Sequence, residues 1–84
     1  MLTDPLAIRH YQKLTDGMVD LWHRGGRYED LRMYMEGYLA CLRHANVMEN
    51  YLINRIEEEA WRFLRDASNF ETPVPQMQPE TDYY

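Results

Sequence analysis

A thiol and an imidazole three residues apart on a helix stand on successive turns, close enough for proton transfer, and Cys41 and His44 have that spacing. A thiolate nucleophile also needs an anion site and a pocket, and no neighbouring motif supplies them. The commoner arrangement is a cysteine packed as a small apolar residue with the histidine at the surface. His10 and His23 are the remaining general-base candidates, and His10 has no serine or cysteine at a useful spacing. Zinc wants three or four ligands from cysteine, histidine or carboxylate. Cys41, His44 and His23 could converge in a folded bundle, yet no local spacing demands it. The Glu-x-x-His pattern of di-iron bundles is absent, and Glu57-Glu58-Glu59 reads as a solvated helix face. The expectation is a protein with no catalytic residue, no metal and no cofactor.

Aromatic side chains offer a second kind of chemistry. Tyr11, Trp22, Tyr34, Tyr38, Tyr51 and Trp61 could stack on a flat ligand such as a pigment or haem. Their helical spacing favours the plainer role, in which they fill a small core with their polar tips at the surface. A third possibility is contact with another protein. Arg24, Arg27, Tyr28 and Arg32 cluster around the first turn, and interfaces favour arginine, tyrosine and tryptophan. Five of the seven tyrosines lie in the helical region, more than a small core readily hides. The terminal Tyr83-Tyr84 pair could anchor the end of the chain in a partner's groove, although no P-x-x-P motif marks an SH3-type ligand. Against these stand an ordinary charged surface for Arg24–Arg32 and a solubilising end for the tail.

Composition limits the partners. The 84 residues suffice for one domain, and so short a chain buries only about 60% of its unfolded surface. Nine basic against fourteen acidic residues give a net charge of −5. Residues 1–26 and 27–46 are each neutral, 47–66 carry −2, and 67–84 carry −3 without a basic residue. Nucleic-acid binding draws most of its affinity from phosphate contacts on a basic face, and no segment supplies one. The single cysteine builds no intramolecular disulfide, the N-terminus lacks a signal-peptide pattern, and no apolar run is long enough to span a membrane. A cytoplasmic protein fits these features, with another protein as partner or a second copy in a homodimer.

Three helices must position these residues. Asp4-Pro5 offers an N-cap and a first-turn proline. Ala7, Tyr11, Leu14, Met18 and Leu21 then step by four and three along one face, and Gly25-Gly26 stops the helix. Gly17 would permit a close crossing with a neighbour. Leu31, Met35, Tyr38, Leu42 and Ala45 repeat the spacing, with Tyr34 and Cys41 beside them. Asn46-Val47-Met48-Glu49 reads as a capping box that opens a third helix. Met48, Leu52, Ile56 and Phe63 form its stripe, flanked by Ile53, Ala60 and Leu64, and Glu58 precedes Arg62 by the four residues of an ion pair. The expected helices are 5–24, 28–45 and 47–65. They give an all-α, antiparallel three-helix bundle over 1–66, followed by a Pro-rich, acidic, extended tail over 67–84. The competing architecture joins 28–65 into one long helix.

The run Tyr38-Leu39-Ala40-Cys41-Leu42-Arg43-His44-Ala45-Asn46, with Tyr51-Leu52-Ile53, Glu57-Glu58-Glu59-Ala60 and Phe70-Glu71-Thr72-Pro73-Val74-Pro75, resembles a family of short cyanobacterial proteins of uncharacterised function. The resemblance covers nearly the whole chain. It implies a cyanobacterial cytoplasm and a role tied to photosynthetic physiology, and it supplies no reaction, cofactor or functional residue. The reading that follows is a non-enzymatic adaptor or regulatory subunit, with a small-ligand or pigment carrier as the alternative.

Overall fold

The computed structural model describes residues 2–70, which form α1 (Pro5–His23), α2 (Tyr28–Ala45), α3 (Asn50–Arg65) and a short 3-10 turn, Ala67–Phe70. The Pro-rich segment and the Tyr83-Tyr84 pair lie outside the described residues. The three helices run up, down and up, and each packs on both others, α1 with α3 most extensively. The described part is the expected antiparallel three-helix bundle.

Each boundary has a local cause. Asp4 Oδ1 accepts from the N–H groups of Leu6 (2.9 Å) and Ala7 (3.4 Å), with Pro5 at the first helical position. At the other end of α1, Gly25 takes φ +104°. Its N–H donates to Trp22 O and that of Gly26 to Leu21 O, so two terminal carbonyls are satisfied by a glycine closure. The α2 helix opens with the Asp30 carboxylate accepting from Arg27 N–H at 2.9 Å.

The expected capping box at Asn46 does not form. Asn46 instead closes α2 in the left-handed conformation, φ 53° and ψ 39°. Asparagine is among the few non-glycine residues that tolerate this geometry, and it turns the chain out of the helical path. The third helix therefore starts later than expected, at Asn50 behind Glu49. The single long helix over 28–65 is excluded for the same reason.

The core also differs in detail from the expected stripes. On α2 the buried residues are Leu31, Met35, Leu39 and Leu42, with Tyr38 half-buried, while Tyr34, Cys41 and Ala45 are exposed. On α3 the deepest positions are Ile56, which the expected stripe contained, and Ile53, Ala60 and Leu64, which were expected only to flank it. Ala7, Leu14 and Met18 of α1 complete the centre. Each fully buried leucine, isoleucine or methionine contributes about 1.5–3 kcal/mol through removal from water. Thr15 is the one buried polar residue among those described, and its hydroxyl donates back to Tyr11 O and Gln12 O.

Beyond Arg65 the fold continues. Asn69 Nδ2 donates to Phe63 O at 2.8 Å, and Asp66 Oδ1 accepts from Ser68 N–H and Oγ. Those two hydrogen bonds favour the charged carboxylate and hold the Asp66 pKa below its ordinary value. Phe70 is buried against Phe63 and Trp22, with ring centroids 5.4 Å and 5.7 Å away. The boundary expected at residue 66 from composition thus falls just before a turn that packs on the bundle.

Candidate interaction surface

Rotating α2 so that Leu31, Met35, Leu39 and Leu42 face inward turns a second apolar set outward. Met33, Tyr34, Gly37, Ala40, Cys41, His44 and Ala45 are all exposed, and Met33 retains 65% of its surface. Salt-bridged charges occupy a separate flank. Arg32 lies 2.6 Å from Glu29 Oε1 and 2.9 Å from Glu36 Oε2, while Arg43 reaches Glu57 of α3 at 2.8 Å and Asn54 at 3.0 Å. These partly exposed pairs contribute little stability, but they keep Glu29, Arg32, Glu36 and Arg43 on one flank of α2.

Between the apolar band and α1 lies an open groove of about 650 Å³, walled by His10, Met33, Tyr34, Gly37, Tyr38, Cys41, Leu42 and Ala45. Its wall is almost all carbon. His10 Nδ1 lies 2.9 Å from Tyr38 Oη, and one hydrogen bond joins them in a direction set by the imidazole tautomer. Burial, then the neighbouring Lys13 and Arg9 charges, hold the His10 pKa below its ordinary value. Burial also pushes the Tyr34 and Tyr38 phenols above theirs, so both remain neutral donors at physiological pH. Tyr34 packs on Gly17, where an added Cβ would fall 2.6 Å from Tyr34 Cζ. Gly17 is the close-crossing position that its place in α1 suggested.

The structure separates the residues singled out as a contact face. Arg27 and Tyr28 share one end of the bundle with Trp22, the Arg27 guanidinium standing 4.6 Å above the indole ring. Tyr28, Leu31, Leu64, Arg65 and Phe70 line a second hollow there, about 540 Å³ in volume. Arg24 is paired with Asp20 at 3.1 Å. Arg32 is held on its own helix by two carboxylates, which raise its pKa. Arg27 and Tyr28 therefore form a corner of the surface, while Arg24 and Arg32 are engaged locally.

Cys41 and His44 both lie on the exposed face of α2, and the cysteine is not the small core residue its helical spacing favoured. Among the described residues, no three side chains of histidine, cysteine, aspartate or glutamate gather where they could hold a metal ion. None of the described helices is long and apolar enough to cross a membrane.

The α2 band was not proposed from sequence, although its members were visible there. The signal was an excess: Met33, Tyr34, Tyr38, Cys41 and Ala45 widen the apolar arc of α2 beyond what one core face uses. Comparison with curated proteins and with solved structures finds no match. A family model does match, over residues 1–84, and its description agrees with a chain whose resemblance carried no assigned activity. The chain belongs to the family of unknown function DUF6761.

Proposed function

We propose that this protein is a non-enzymatic interaction module, an adaptor or regulatory subunit, that docks through the exposed apolar band of α2. The supporting observation is Met33, 65% exposed, at the mouth of a carbon-lined groove on a helix whose ion pairs lie on another flank. Water-exposed apolar surface of this kind gains free energy when a partner covers it, at about 25 cal/mol per Å². The Arg27–Trp22–Tyr28 corner supplies a second, smaller contact. The cyanobacterial cytoplasm implied by the resemblance is the proposed setting, with photosynthetic physiology as the proposed context.

Cys41 is the chain's single cysteine and lies in the groove, so it accepts a photocrosslinking maleimide without further engineering. Irradiation in host lysate should give a discrete protein adduct that disappears in Met33→Glu. A chain with Cys41→Ala and Glu58→Cys, labelled on the exposed outer face of α3, should not give it. Equal adducts from both positions, or none from Cys41, would defeat the proposal. Tyr28→Ala, assayed in the same way, tests the corner.

The groove volume also falls within the range of small-molecule sites, about 300–1,000 Å³, which favours a second reading as a ligand or pigment carrier. Protein purified from its native host would then carry a visible absorption band or an extractable organic ligand. A colourless, ligand-free preparation would remove that reading.

A further inference from the structure

We infer that the occupant of the α2 band is a second copy of this chain, packed antiparallel about a two-fold axis at Gly37; this rests on the interaction reading above. A two-fold interface must be complementary to itself, so residues equidistant from the axis meet across it. Asp30 and His44 are each seven residues from Gly37, and both are exposed near the band's opposite ends. Antiparallel pairing sets each carboxylate against the partner's imidazole at two equivalent places. Asp30 uses Oδ2 for the Arg27 N–H, which leaves Oδ1 to accept from that ring.

Met33 and Cys41 are related in the same way, four residues on either side of Gly37. Met33 then fills the groove beside the partner's Cys41, covering the most exposed large apolar side chain among the described residues. Gly37 has no atom within 4 Å of where a Cβ would stand, so a partner helix can approach its backbone directly. The two helix dipoles also oppose each other in this arrangement. A contact one helix wide falls below the roughly 800 Å² per partner of a stable interface, so the dimer is weak, with Kd on the order of 100 μM.

Sedimentation velocity on the full 84-residue chain, from about 10 μM to 1 mM, should show a monomer–dimer equilibrium. Met33→Glu should weaken it by about tenfold or more. His44→Asp, which opposes carboxylates across the interface, should weaken it, whereas His44→Lys should not. Unchanged helical circular dichroism would show that these surface variants remain folded. Oxidative crosslinking fixes the register. Gly37→Cys with Cys41→Ala should form disulfide-linked dimers. Wild-type Cys41 should not, because its two copies lie about 12 Å apart along the helices.

A chain that stays monomeric to 1 mM would overturn the dimer, as would faster disulfide formation through wild-type Cys41 than through Gly37→Cys. A photocrosslinked adduct to a different protein, together with a monomeric chain, would sink this inference and leave the interaction module standing. Loss of both signals would sink both.

Discussion

His10 carries the clearest pH signature in the described structure, because its imidazole is partly buried beside two cations and bonded to Tyr38. Its folded pKa is depressed, so the neutral ring is favoured in the native state. The stability it contributes is complete above the unfolded value of about 6.5 and is lost as pH falls through the folded value. Thermal melts between about pH 7.5 and 5.5 should therefore drop more for wild type than for His10→Asn. Parallel pH profiles would show that His10 is not the sensor. Phe70 makes a different demand, since it fills the space between Trp22 and Phe63 although sequence placed it at the start of the tail. Phe70→Ala should cost about 3 kcal/mol in urea unfolding, a large share of the stability of a domain this small. A loss under about 1 kcal/mol would mean that the terminal turn is dispensable.

At the scale of elements, two residues in left-handed geometry set where α1 and α2 stop. Gly25 at φ +104° has open space around it, so Gly25→Ala should destabilise by about 1 kcal/mol through backbone strain alone. Asn46 at φ 53° should accept glycine at little cost, whereas Asn46→Ala should lose about 1 kcal/mol. Chemical denaturation of the three variants checks the ordering. The ends of α1 were legible because Asp4-Pro5 and Gly25-Gly26 each have one strong local meaning. Asn46 was ambiguous, since asparagine serves both as an N-cap and as a left-handed C-terminal residue. Spacing to Glu49 favoured the first use, and chain reversal required the second. A similar choice arose on α3, where Arg62 binds Glu59 at 3.0 Å although Glu58 has the more favourable spacing.

For the whole molecule, the decisive matter is which arc of each helix meets the other two. Leu39→Ala, in the centre of the bundle, should cost about 3 kcal/mol, whereas Met33→Gln should stay within about 0.5 kcal/mol. Equilibrium unfolding would distinguish them, and the reverse order would mean that α2 is rotated from its position here. The sequence by itself determined that the chain is helical, where the first helix begins and ends, and that Gly17 suits a close crossing. Those features follow from local caps and from a 3.6-residue repeat that any helix must obey. The left-handed Asn46 decided that residues 28–65 form two helices and not one. Only the tertiary structure decided that Leu39 lies inside and Cys41 outside, that Phe70 belongs to the core, and that Arg32 is committed to Glu29 and Glu36. The apolar arc of α2 is wider than one buried face, so periodicity leaves its rotation open. That rotation is settled only when the side chains of α1 and α3 compete for the same interior volume.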